Sequence, residues 1–454
     1  MRALFYARNA KPVTLHCMTK QAIDITNLID KQAVSRFQYL VIVLCSLVVL
    51  FDGMDTQVVG YLGPALSQEW DIPREQLGPV FSASLVGLMV GLLVIGAVSD
   101  RLGRRRSILV CVTLFSFFTL MTAMARGVND LMVWRFLAGI GLGGAMPNAL
   151  ALTGEYCPKR YKATLVIIMF CGFSLGSIIG GLVAAGLLET YGWRAVFLVG
   201  AVLPMLLLPF LFRLLPESLQ FLIQNRRHEE AISLLHKLNP SLSIDQTLKS
   251  TDDDLPKVPV GDLFNDGRLQ GTLMLWVIFF MNLMVFYFLQ NWLPTIFTDA
   301  GLSQQTAVLM ATLISVGGIV AGVISGPLMD RFNPYLVLAA LYAVGAFCVA
   351  LIGAAPVSML ALVTFTAGFC VSGAQKSVNA LAVMFYPTQV RATGVGWALG
   401  IGRFGSILGP VLAGWLLSWG WSRASLMQLA GLPMLLAALT IWLMGRIYHR
   451  PEPV

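Results

Sequence analysis

The chain has 454 residues, of which 57% are hydrophobic and only 12% are charged, with a net charge of +8. A soluble domain carries about 25% charged residues, so the composition excludes a water-soluble enzyme or binding module and points to a polytopic membrane protein. The basic excess belongs to membrane topology, where Lys and Arg collect in cytoplasmic loops, and is no sign of nucleic acid.

Residues 1–36 contain six Lys/Arg and no long apolar core, so they read as a cytoplasmic tail without a cleavable signal. At about 20 apolar residues per crossing, twelve spans follow. They lie near 38–62, 77–99, 107–126, 131–154, 163–188, 194–214, 271–294, 305–328, 335–353, 357–382, 392–417 and 424–446. The fold class is an all-α polytopic membrane protein with two six-helix bundles, 37–214 and 271–447. A polar central loop, 215–270, separates them and carries a short amphipathic helix near 227–238 expected at the membrane surface. Residues 448–454 form a second tail. With both termini and the even-numbered loops on one side, 24 of the 31 Lys/Arg fall there. That side is the cytoplasm by the positive-inside rule.

Span one carries two carboxylates, Asp52 and Asp55, on one helix face. A charge at bilayer depth is costly, so an intramembrane Asp is by default functional. Like charges at close quarters favour keeping a proton on one of them. The alternative is a shorter span with both Asp at the outer interface. Arg135, early in span four, falls at a similar depth. It must find a carboxylate or carbonyls, or else snorkel outward beside Trp134.

The aromatic residues of span seven include Tyr287 and Trp292, and span eleven carries Trp397. Any of the three can stack on a ring substrate, although most aromatics face lipid or neighbouring helices. Asn291 and Pro294 mark a bend in span seven. In span ten, Lys376 is either an anion contact or a snorkelling lysine, and Gln375 and Asn379 are candidate hydrogen-bond partners for a substrate or for other helices. Arg403 lies eleven residues into span eleven, about 16 Å deep at 1.5 Å per residue. Its counterpart in the first half is Phe170, so the charge breaks the internal symmetry, as a substrate residue would. Its guanidinium fork suits a carboxylate. The other reading is a pair with an intramembrane carboxylate that only joins helices.

The halves repeat. Gly96–Arg106 (GAVSDRLGRRR) and Gly326–Pro334 (GPLMDRFNP) share G-x-x-x-D-R, which contributes Asp100, Arg101, Asp330 and Arg331. Glu155–Thr164 and Met384–Thr393 both place a Pro five residues ahead of an Ala-Thr pair. Gly172, Gly176 and Gly180 in span five echo Gly405, Gly409 and Gly414 in span eleven. Three matched features in one order make two homologous bundles, and transporters of this kind bind substrate at the midplane between their repeats.

The G-x-x-x-D-R-x-G-R-R loop, the span-four R-F-x-x-G-x-G-x-G and the 6+6 plan resemble the major facilitator superfamily over nearly the whole chain. Asp52–Gln57 (DGMDTQ), Asn291–Pro294 (NWLP) and Gly373–Pro410 resemble its aromatic acid:proton symporter branch. That resemblance implies a bacterial inner-membrane carrier that imports benzoate, hydroxybenzoates and similar ring acids. It implies proton coupling through Asp52, Asp55, Arg135 and Glu155, and substrate contacts at Arg403, Lys376, Gln375, Asn379, Tyr287, Trp292 and Trp397. Gly96, Asp100, Arg101, Arg104, Asp330, Arg331 and Arg391 become a cytoplasmic latch, with Glu155 and Arg391 as partners, that stabilises the outward-open state. No cofactor is expected beyond the proton gradient, no metal, and no enzyme activity. The partners are a small aromatic carboxylate, protons and the lipid bilayer, and a monomer suffices. Two rivals stand beside this reading. A drug or other organic-anion:proton transporter is disfavoured because Ser177 replaces a Pro of the antiporter pattern. A sugar carrier rests only on Pro216-Glu217-Ser218.

The seven cysteines, Cys17, Cys45, Cys111, Cys157, Cys171, Cys348 and Cys370, have no metal-ligand spacing and read as buried small residues.

Overall fold

A computed structural model describes residues 23–24, 34–238, 248–249, 259–265, 267–387 and 389–448. Most of the expected N-terminal tail, the end of the chain and Cys17 lie outside the described residues. Apart from a two-residue parallel pairing of Ile23–Asp24 (β1) with Leu248–Lys249 (β2), the regular structure described is helical.

The first half contains α1 (Arg36–Glu69), α2 (Leu77–Leu102), α3 (Arg104–Ala123) and α4 (Val128–Tyr156). A helical run, Lys159–Leu214, then breaks at Gly192, where φ is +77° and ψ 175°. The break divides the run into α5 (159–191) and α6 (193–214). A Cβ strains that backbone, and glycine is the residue that adopts it. Eleven runs are long and apolar enough to cross a bilayer, and the break at Gly192 makes twelve crossings of them. The second half contains α9 (Leu269–Asp299), α10 (Gln304–Arg331), α11 (Pro334–Ile352), α12 (Val357–Phe385), α13 (Arg391–Ser418) and α14 (Arg423–Tyr448).

Helix starts follow local chemistry. Ser35 and Gln38 form a reciprocal capping box on α1. Ser303 caps α10, and Asn333 caps α11, which has Pro334 in its first turn.

Between the halves stand α7 (Leu219–Gln224) and α8 (His228–Leu238). The apolar face of α8 (Ala231, Leu235 and Leu238) is buried in the core of the first half. The sequence placed this helix on the membrane surface. In the structure its apolar face packs on protein, where α7 and the helix ends of the first half supply the cover.

Packing repeats the sequence duplication. In the first half α1 packs on the α5–α6 run and α2 on α4; in the second, α9 packs on α13 and α10 on α12. The glycine echo has a physical cause. A Cβ at Gly172 or Gly176 would lie 2.7 and 1.8 Å from the carbonyls of Ser46 and Leu50, and one at Gly405 or Gly409 would lie 2.2 and 2.3 Å from those of Phe280 and Met284. Each glycine pair lets one helix of its half lie directly on the backbone of another.

The halves meet along α1–α9, α2–α13 and the α5–α6 run with α10. Hydrogen bonds and ion pairs that join them lie at mid-depth or on the side away from the termini. Arg74 pairs with Asp299 at 2.9 Å, Gln304 donates to Gln68 at 2.9 Å, and Ser82 donates to the Ile407 carbonyl at 2.9 Å. On the terminus side, a Cβ at Gly96 or at its repeat Gly326 would meet nothing within 4 Å. Among the described residues, the Arg74–Asp299 and Gln304–Gln68 contacts close the bundle at the far end.

Candidate functional site

The two Asp of α1 take different surroundings. Asp55 Oδ2 accepts from Arg135 Nη1 at 2.9 Å, and its Oδ1 accepts from Thr119 at 2.6 Å. Arg135 Nη2 donates to the Asp55 carbonyl at 3.0 Å, and the guanidinium lies 5.6 Å from the centroid of the Phe197 ring. Neither side chain is more than 1% exposed. The snorkelling reading of Arg135 therefore falls. With α4 entering from the far side, Arg135 reaches the interior of the first bundle, where Asp55 is its counter-ion.

Asp52 is also buried, but its one hydrogen bond runs from Thr56 at 3.1 Å. Among the described residues it has no ion-pair partner. Asp52 on α1 and Arg403 on α13 each stand near the middle of their helix, in opposite bundles.

Arg403 sits near the middle of α13 and is half-buried. Its Nη1 donates to the Tyr287 hydroxyl at 3.0 Å. Among the described residues it forms no ion pair, so the helix-joining salt bridge is not its role here. Lys376 Nζ donates to the Gly318 carbonyl at 2.5 Å. Gln375 and Asn379 stand on the same helix, and each carries a buried side-chain oxygen without a hydrogen-bond partner.

The tryptophans are placed elsewhere. Trp292 is fully buried at the closed end, edge-on to Phe81 at 5.4 Å, and it donates to the Pro410 carbonyl at 3.1 Å. Trp397 is 43% exposed and stacks on Trp276 at 6.0 Å. Both are expected substrate contacts; Trp292 lies in the far-end contact between the halves and Trp397 on an exposed face beside Trp276.

Among the described residues, the latch residues bond within their own half. Arg104 pairs with Asp100 at 2.9 Å on its own helix-end turn, and it also donates to Ser99 at 2.6 Å. Glu155 accepts from Ser218 at 2.6 Å, and Arg391 donates to the Tyr386 carbonyl at 3.1 Å. Arg101 and Arg331 are exposed. The side chain of Asp330 lies outside the described residues. Glu155 is thus remote from the Asp55–Arg135 pair and belongs to the terminus-side surface.

Sequence reasoning missed several participants. Glu217 accepts from the backbone amides of Arg105 and Ser218 at 3.0 and 2.9 Å, anchoring the start of α3. A Cβ at Gly103 (φ +92°) would sit 2.5 Å from Glu217 Oε2, so the turn needs glycine twice over. The Pro-Glu-Ser trio, taken as a sugar-carrier sign, is a helix-end clamp. The pair Arg74–Asp299 left no local signal, because its members are 225 positions apart on helix ends.

The comparisons agree with this architecture. Residues 45–356 and 309–454 match the Major Facilitator Superfamily. A gallate transporter of Pseudomonas putida is 42% identical over 95% of this chain and 97% of its own length. The chain belongs to the major facilitator superfamily, in its aromatic acid transporter family. The 4-hydroxybenzoate transporter PcaK of Pseudomonas aeruginosa is 40% identical over 94% of this chain and 97% of its own. The crystal structure of a bacterial homolog of the human lysosomal transporter Spinster superposes with a TM-score of 0.71 at 17% identity, covering 92% of this chain and all of that one. That likeness is one of fold. The superfamily's two-bundle plan accounts for the repeated packing described above.

Proposed function

We propose that the protein carries a small aromatic carboxylate across a bacterial plasma membrane by alternating access, driven by the proton gradient without a cofactor. The observation that carries the reading is Arg403: a midplane cation with a phenol beside it and no protein carboxylate paired to it. A substrate carboxylate supplies the missing anion. The relatives that transport gallate and 4-hydroxybenzoate support the ring-acid class. Lys376, Gln375 and Asn379 extend the anion and polar contacts along α12.

Proton coupling falls to Asp52. It stands at mid-helix in the first bundle as Arg403 does in the second, so a proton on Asp52 and a carboxylate on Arg403 alter each other's binding across the central region. Asp55 is held by Arg135 and acts as the fixed charge of the first bundle. Carrying an anion against an inside-negative potential costs about 2.3 kcal/mol per charge per 100 mV; one accompanying proton removes that cost. The basic asymmetry supports placing both termini in the cytoplasm, which makes the closed far end the outer one. Arg74–Asp299 then closes the outer end, and the Asp100/Arg104 and Asp330/Arg331 regions are assigned the latch that forms when the inner end closes. One chain contains the whole route, so a monomer suffices.

The test is equilibrium binding of 4-hydroxybenzoate to the purified carrier by calorimetry. Binding that Arg403→Ala weakens at least about 10-fold supports the reading. Unchanged affinity in that variant overturns Arg403 as the anchor.

A further inference from the structure

We infer that the cluster Gln57, Tyr61, Ser177, Gln290 and Ser315 is the subsite for a ring hydroxyl of the transported acid. The inference rests on the aromatic-acid reading above and deepens it.

Four of the five residues form a connected chain that crosses between the halves, and Gln57 stands one helical turn before Tyr61 on α1. The Tyr61 hydroxyl is 2.9 Å from Ser177 Oγ, Ser177 Oγ is 2.8 Å from Ser315 Oγ, and Gln290 Nε2 donates to Ser315 Oγ at 3.3 Å. Every member is at most 3% exposed. Yet the chain is incomplete. Gln290 Oε1 has no partner, and neither amide atom of Gln57 has one. Native interiors rarely keep such groups unsatisfied. A buried primary amide with both ends free is an unfilled donor and acceptor, and a phenol is the matching acceptor and donor.

Position points the same way. Gln57 lies four residues after Gly53 and three before Gly60, so the three share one face of α1. At Gly53 a Cβ would strike the Phe173 carbonyl of α5, and at Gly60 it would strike Gln290 and Asn291 of α9. Gln57 is therefore directed to the place where α1, α5 and α9 converge. On α9, Gln290 stands three residues beyond Tyr287, whose hydroxyl holds Arg403. Tyr287 and Gln290 therefore share one face of α9, which places the cation and the cluster along the same side of that helix. An aromatic acid has the same order: carboxylate, ring, hydroxyl. A site built to hydrogen-bond a hydroxyl discriminates strongly against the analogue lacking it.

The competing role is a gate. The Ser177–Ser315 bond joins the two halves and breaks when the outer end opens, and a pure gate affects all substrates alike. The experiment therefore reads a ratio. Uptake kcat/KM for 4-hydroxybenzoate and for benzoate is measured in proteoliposomes with the intact carrier, Gln57→Leu and Gln290→Leu, with folding checked by gel filtration. The subsite predicts that the hydroxybenzoate-to-benzoate ratio falls about 10-fold or more in both variants. Gln57→Asn, which keeps the amide but withdraws it by one methylene, gives a smaller fall and serves if the Leu variants do not fold. An unchanged ratio, whether both rates fall together or neither does, overturns the subsite while the parent reading stands. An unsubstituted carrier that moves neither acid overturns the aromatic-acid reading and the subsite with it.

Discussion

Arg135 on α4 and Asp55 on α1 form a 2.9 Å ion pair, with both side chains almost fully buried. Their remaining bonds go to Thr119 and to the Asp55 carbonyl, so each oxygen of the carboxylate has a partner. Removing one partner from such a pair leaves an uncompensated charge and costs about 3–5 kcal/mol. Asp55→Asn is expected to lower the thermal stability of the purified carrier and to abolish transport. Arg135→Lys is expected to fail also, since an ammonium cannot replace the two-pronged contact. Scanning fluorimetry in detergent, with uptake assays alongside, checks both.

Asp52 differs by having only Thr56 as a hydrogen-bond partner. Asp52→Asn is expected to fold normally, to exchange labelled substrate across the membrane at equilibrium, and to lose gradient-driven accumulation. Counterflow and gradient uptake measured on the same vesicles separate the two functions. Accumulation that survives intact would remove Asp52 from the coupling step.

Much of this was legible beforehand. The twelve crossings followed from apolar runs, and the duplication followed from G-x-x-x-D-R and the glycine echo, because backbone-on-backbone contact leaves glycine little substitute. The Asp–Arg pairing followed from the cost of burying either charge alone. The contacts that close the far end were not legible. Arg74, Asp299, Gln68 and Gln304 sit on helix ends in ordinary polar surroundings, and only the folded arrangement brings them together. The faces that Trp292 and Trp397 occupy were not legible for a related reason: in a helix apolar all round, periodicity no longer tells which face meets a partner.

Tyr287 is the hydroxyl that orients Arg403. Loss of one hydrogen bond to a charged group is worth about 1.5–3 kcal/mol. Tyr287→Phe is expected to raise the KM for ring acids by about 10-fold or more while the protein stays folded. The measurement is initial-rate uptake against substrate concentration. An unchanged KM would mean that Tyr287 has no part in setting the guanidinium.

The outer pair Arg74–Asp299 is partly exposed on both sides, so its contribution is modest, about 0–1 kcal/mol. Arg74→Gln is expected to shift the population toward the outward-open form by up to about 5-fold. Thr295, buried in the closed outer contact, offers a reporter: Thr295→Cys should react faster with an impermeant maleimide applied outside when Arg74 is replaced.

Gly60 lets α1 cross α9 between the halves; a Cβ there would lie 2.7 Å from Asn291 Cα. Gly60→Ala is expected to disfavour the closed outer end more strongly than Arg74→Gln, because backbone atoms cannot move aside as side chains do. The same Thr295→Cys reporter ranks the two variants.

The most direct test of the central claim is uptake of labelled 4-hydroxybenzoate into proteoliposomes under an inward proton gradient, with and without a protonophore, for the intact carrier and Arg403→Ala. Accumulation that requires the gradient, collapses with the protonophore and disappears in Arg403→Ala is the predicted result. No uptake by a folded carrier, or accumulation indifferent to both the protonophore and Arg403, would contradict it.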